Sequence, residues 1–229
     1  VPTFDRDSWE RRVARETAKL GKQALDEVMN ALGDPPDFSG LPATFWDQQT
    51  GALASLLTPL LQEVYLASAE SALEESVVGV DWAMVNRNAV TWANSYTYDL
   101  VSGMTETTRE LIRESVGNFF TQNQTLDELR GRLESAFGPI RADMIATTEV
   151  TRAATEGERA LVQLLEEQGL LFRDVWETAA DEFVCPICMP LNGQAQGPTG
   201  YIHPENGQSY DGPPAHPRCR CRERHESVL

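Results

Sequence analysis

A chain of 229 residues that is 41% hydrophobic and 24% charged is long enough for one large domain or two small ones, and it can bury a core. Its formal charge of −16 argues against a general nucleic-acid coat, because phosphate binding needs a positive face. No stretch reaches the ~18–20 uninterrupted apolar residues of a membrane span, and the opening VPTFDRDSWERRVARE has no basic head followed by an apolar core, so neither a span nor a secretory signal is read there.

In SWERRVARETAKLGKQALDEVMNALG, Trp9, Val13, Leu20, Val28 and Leu32 recur near helical spacing, and Gly33 with the following DPPD stops the helix. A second helical run covers about 43–75, where Pro59 predicts a kink or a break. A third, 81–102, carries Trp82, Val85, Val90, Trp92 and Tyr96 and ends at Gly103; Thr105 then caps a fourth, TETTRELIRESVGNFF. Thr125-Leu126-Asp127-Glu128 has the form of a capping box opening a short helix that stops at Gly138. A longer helix runs from about 139 to 168, with Pro139 in its first turn and Gly169 as its C-terminal cap. On it, Glu149, Arg152, Glu156 and Arg159 fall at helical spacing and read as i,i+3 and i,i+4 ion-pair partners.

After Gly169 the character changes. LLFRDVWETA reads as a strand, and from 181 onward Gly, Pro, Asn and Asp are dense, which indicates turns. The fold class is therefore mainly α with a small C-terminal β/loop module stapled by zinc, an α+β arrangement. By its residue pattern the chain is a helical region of about 165 residues followed by this module, with the zinc-binding part at 181–222.

That module holds every cysteine: Cys185 and Cys188 in CPIC, Cys219 and Cys221 in HPRCRC. A loop-rich segment of about 45 residues has too few apolar side chains to build a core and needs a staple. CxxC places two thiolates at one turn, each able to reach a metal at ~2.3 Å, and a distant second pair completes a tetrahedron. His216 adds a fifth donor for four places, so the site is either four thiolates or three with His216 replacing Cys219 or Cys221. Two disulfides or four free thiols are the competing readings; the lack of a signal peptide favours metal. A closed shell makes zinc structural, since a catalytic ion keeps an open position for water. His203 is expected to be solvated or locally bonded, and His225, near the terminus, exposed.

Charge is uneven. Residues 25–100 hold eleven acidic side chains and Arg87 as their one base, whereas Arg218, Arg220, Arg222 and Arg224 alternate near the end. If that segment is a strand, the four guanidinium groups share one face, either as a charge-blunted edge or as a contact for an acidic partner or phosphate. A CxxC finger near His203 and Asn206 also suggests a His-Asn-His endonuclease, but no helix follows before DGPPAHP to carry the remaining residues.

Three segments together resemble the phage Mu F-like minor head protein family: RADMIATTEVTRAATEG (141–157), VWETAADEFVCPIC (175–188) and GPPAHPRCRC (212–221). The matched positions are Arg141, Ile145, Ala146, Thr148, Glu149, Ala153 and Gly157, then Trp176, Asp181, Cys185 and Cys188, then Pro213, Pro214, His216, Pro217, Cys219, Arg220 and Cys221. The likeness covers roughly 105–225 and does not reach the first hundred residues, and it implies a division into a helical N-terminal region, 1–104, and a head morphogenesis domain, 105–229, that ends in the zinc-binding module. It implies a role in head morphogenesis of a tailed phage or prophage, associated with the portal protein and the major capsid protein. Packaged double-stranded DNA is a further candidate partner, and Arg218, Arg220, Arg222 and Arg224 are expected to supply one DNA- or portal-facing patch. The implied place is the head interior near the portal, reached by assembly in the host cytoplasm, and the implied role is structural, not enzymatic. Glu149 and Asp181 are then expected to orient the tail against the long helix, pairing with Arg152 or Arg220.

Overall fold

The computed structural model describes residues 4–73, 79–179 and 184–228. Five helices come first: α1 (Arg6–Leu32), α2 (Ala43–Leu73), α3 (Trp82–Thr121), α4 (Leu126–Phe137) and α5 (Pro139–Glu166). Four short strands follow: β1 (Phe172–Glu177), β2 (Tyr201–Ile202), β3 (Ser209–Tyr210) and β4 (Arg222–Ser227). The protein is thus mainly α with a small C-terminal strand-and-loop module.

Two of the expected breaks do not occur. Gly103 and Thr105 lie inside one continuous helix, α3. A helical glycine costs only about 1 kcal/mol, and fully buried Val101 and Ile112 on either side outweigh it. Thr105 is bonded to the Thr50 hydroxyl at 3.0 Å instead of capping a new helix. Pro59 likewise sits within α2. The backbone bond it removes is offset by Leu57, Leu61 and Val64, all 0% exposed. By length and composition α2 is apolar enough to cross a membrane, although no uninterrupted apolar run marks it in the sequence; a core helix meets the same test.

The chain forms two compact units, each discontinuous in sequence. One comprises Arg11–Leu60 and Ala93–Met144; the other comprises Val1–Glu10, Leu61–Trp92 and Ile145–Leu229. A boundary at residue 104 therefore falls within α3 and within the first unit.

In the first unit, Leu25, Val28 and Leu32 of α1 pack with Leu41, Trp46, Ile112, Val116, Leu129 and Leu133. The capping box opens α4 as its sequence indicates: Thr125 accepts from the Glu128 amide and Glu128 accepts from the Thr125 amide.

In the second unit, Tyr65 and Ala69 of α2, Val85 and Ala89 of α3, and Leu161, Leu164 and Leu165 of α5 make the core. Gly157 lets α5 meet α2: a Cβ there would collide with the Tyr65 carbonyl. Gly169, at φ +92°, takes the left-handed cap that ends α5. The chain turns directly into β1, which pairs antiparallel with β4 from Phe172↔Ser227 to Glu177↔Arg222. β2 and β3 form a separate two-residue hairpin.

Gly157→Ala is expected to lower unfolding free energy by about 1–3 kcal/mol through overpacking. Gly117→Ala, in open space on α3, should raise it by about 1 kcal/mol. Urea denaturation of the two variants measures both signs.

Candidate metal centre

Two turns bring the donors together. In CPIC the Cys188 and Met189 amides donate to the Cys185 carbonyl at 3.1 and 3.0 Å, folding the segment so that Cys185 and Cys188 sit on one side. The Cys188 amide also lies 3.4 Å from the Cys185 sulfur. In HPRC the Cys219 amide donates to the His216 carbonyl at 3.1 Å, which closes the second turn. Arg218, within it, takes a left-handed φ of 64° and donates its amide to the Thr148 hydroxyl of α5 at 2.9 Å.

The side chains of the two turns converge. His216 Nε2 lies 2.9 Å from Cys185 Sγ and 3.3 Å from Cys188 Sγ, and Cys188 Sγ lies 3.7 Å from Cys219 Sγ. Cys185, Cys188 and His216 form one triad and Cys188, Cys219 and Cys221 another, with Cys188 shared, so the cluster could hold a metal ion. His216 Nδ1 lies 2.7 Å from the Pro217 carbonyl, which only accepts, so the proton sits on Nδ1 and the Nε2 lone pair faces the sulfurs. That is the tautomer a metal ligand needs. No disulfide is formed by any of the four cysteines.

Burial sets the electrostatics. Cys188, Cys219 and Cys221 are 2–3% exposed, while Cys185 and His216 are partly exposed, so the cluster has a closed inner side and an open outer one. Hydrogen bonds from Cys188 and Cys221 push the Cys219 thiol far down, whereas bonds to Cys219 and Cys221 push Cys188 up. Trp176 and Tyr201, both 0% exposed and edge-to-face at 5.1 Å, cover the inner side with Leu191.

The module is fixed to α5 by an ion pair. Arg159 Nε and Nη2 donate to the two carboxylate oxygens of Glu223 at 2.5 and 2.6 Å, and Arg159 also donates to the Asp211 carbonyl. The Glu223 side chain is 0% exposed. Arg159 was visible in the sequence only as a partner of Glu156, which it also approaches at 3.7 Å. Glu223 was not singled out. The signal was there, since Glu223 sits between Arg222 and Arg224 and alternation turns it to the opposite face.

The other named residues divide. Glu149 is buried and approaches Arg152 at 3.9 Å on its own helix. Asp181 lies outside the described residues. The four arginines do not share a strand face, because β4 begins at Arg222 and the HPRC turn holds Arg218 out of it. Arg220 pairs with Asp7 and with Glu10, the latter at 3.3 Å. Arg222 pairs with Glu177, and Arg224 with Glu226 and, at 3.9 Å, Glu177. Arg220, Arg222 and Arg224 thus each have a carboxylate partner within their own unit, and exposed pairs of this kind are screened by water and add little to stability.

His225 is not exposed. Its side chain is 10% accessible, and Nδ1 meets Asp174 at 2.6 Å, directly across the β1–β4 ladder. Burial works against its charge, but the bond and charge of Asp174 prevail and raise its pKa. His203 is buried and locally bonded: Nδ1 accepts from the Glu205 amide at 3.3 Å. Asn206 accepts from the Gln208 amide at 2.9 Å, so the pair read as nuclease-like shapes the β2–β3 hairpin.

No protein-family model, curated protein or solved structure matches the chain.

Arg159→Met leaves Glu223 charged, buried and unpaired, and should cost about 3–5 kcal/mol. The double variant Arg159→Met/Glu223→Leu should recover most of that loss in the same denaturation measurement.

Proposed function

We propose that the cluster holds one structural zinc ion, and that the chain is a portal-associated minor head protein of a tailed phage or prophage. The observation that carries the metal reading is the convergence of both cysteine pairs and the lone pair of His216 on Cys188. Sulfur and imidazole donors in a four-coordinate arrangement favour zinc over the hard cations, which take oxygen. The 3.7 Å separation of Cys188 and Cys219 is close to the edge of a tetrahedron with ~2.3 Å zinc–sulfur bonds. Four of Cys185, Cys188, His216, Cys219 and Cys221 ligate, and the remaining donor supports them. With all four positions filled by side chains the ion orders the module and performs no chemistry.

The head-protein reading rests on the ordered motifs between Arg141 and Cys221. The positions involved have structural work that suits a shared module. Gly157 permits the α2–α5 approach, Trp176 covers the cluster, and Cys185, Cys188, His216, Cys219 and Cys221 form it. In this reading the portal protein and the major capsid protein are the partners, the protein lies in the head interior near the portal, and its role is in assembly and in packaging or delivery of the DNA.

Native mass spectrometry should find one zinc per chain, and a strong chelator should remove it and lower the melting temperature. Cys188→Ser, which removes the donor common to both triads, should abolish binding. A metal-free chain lighter by four hydrogens would mean two disulfides and would overturn the zinc reading. Co-expressed with the portal and capsid genes of its source genome, the chain should co-purify with portal rings and enter heads. Failure to do either would overturn the head-protein reading while leaving the zinc reading standing.

A further inference from the structure

The first half of α1 carries Arg11, Arg15, Lys19 and Lys22, all exposed. At 3.6 residues per turn they fall within a sector of about 80°, roughly opposite Val13, Thr17, Ala24 and Val28; Leu25 and Leu32 extend the buried side of the helix toward one edge of the row. They rise about 6, 6 and 4.5 Å from one to the next, a row about 16 Å long.

Residues 11–22 contain five basic side chains and one acidic one, Glu16, on a chain whose net charge is −16. The carboxylates on this side leave the row positive. Glu16 is shared between Arg15 at 2.8 Å and Lys19 at 3.0 Å. Asp26, further along, is taken by Arg130 of α4 at 2.5 Å. Arg11 and Lys22 make no ion pair among the described residues. Repulsion from the acidic remainder is screened beyond about 8–10 Å at physiological salt, so a polyanion at this face meets the row first.

The row also lacks what a protein partner would need. Its near neighbours are Ser8 and Gln23, both exposed, and Ala18, half-buried, with no aromatic or large apolar anchor among them. Protein interfaces draw their affinity from such anchors, whereas a phosphate backbone asks only for accessible cations. Phosphates advance about 3.4 Å per strand along a duplex axis, so the row spans about five of them.

We infer that this face of α1 docks on the phosphate backbone of a nucleic acid duplex without reading its sequence. The inference is independent of the head-protein reading, whose motifs lie beyond residue 105, and it places the contact away from the C-terminal arginines.

The test uses the full chain and fluorescence anisotropy with two labelled DNA duplexes of about 20 bp and unrelated sequence, across about 50 to 200 mM NaCl. Both duplexes should bind alike, and four phosphate contacts should make affinity fall about 150-fold over that range. Arg11→Gln/Lys22→Gln should roughly halve the log–log salt slope, and the quadruple variant with Arg15→Gln and Lys19→Gln should abolish binding. Arg222→Gln/Arg224→Gln should leave binding unchanged. Circular dichroism checks the helix, and if the quadruple variant unfolds the double variant decides, because its two residues hold no described ion pair. Undiminished binding by the folded variants, no duplex binding at the lowest salt, or equal competition by polyglutamate would each overturn the inference.

Discussion

Four sulfurs and an imidazole nitrogen occupy the centre of a module that has few other means of holding itself together. Among the described residues its buried cluster contains three apolar side chains, Trp176, Leu191 and Tyr201, alongside Cys188, Cys219 and Cys221, with Val184, Tyr210 and Ala215 partly buried against it. Side chains of that kind contribute about 1.5–3 kcal/mol each when buried, while ordering backbone costs about 1–2 kcal/mol per residue. A metal bound by such donors contributes on the order of 10 kcal/mol. The CPIC and HPRC turns bring these donors to one point.

Around that point the polar contacts have a directional role. Arg159 to Glu223, and the Arg218 amide to Thr148, fix α5 against the segments on either side of Cys219 and Cys221. Asp174 and His225 tie β1 to β4 immediately beyond. A buried pair such as Arg159–Glu223 contributes little net stability over an apolar substitute, but it specifies one alignment of helix and module. The arginines of the C-terminal segment belong to the same framework: Arg220, Arg222 and Arg224 neutralise Asp7, Glu10, Glu177 and Glu226 within their own unit. The exposed row on α1 is a separate local excess of positive charge.

Features whose cause is local were legible in the sequence. The α4 capping box and the Gly169 cap each depend on a few adjacent residues, and both occur where the pattern put them. The donors were legible because cysteine is scarce and its spacing is informative. Features set by distant partners were not legible. Gly103 and Pro59 carry real local penalties that only the buried neighbours of α3 and α2 outweigh. His225 looked exposed because Asp174, its partner, is 51 positions away. Arg159 and Glu223 are 64 apart, and nothing in a linear pattern joins them. The alternation of arginines at the end promised one charged face, but the left-handed turn at Arg218 starts the strand four residues later.

The central claim is that sulfur and imidazole donors from both turns surround a single ion. X-ray absorption at the zinc edge of the purified chain tests it most directly. The account predicts four donors, sulfur at ~2.3 Å with or without one imidazole nitrogen at ~2.0–2.1 Å. An oxygen-dominated shell, or a chain that carries no zinc when prepared without chelator, would contradict it.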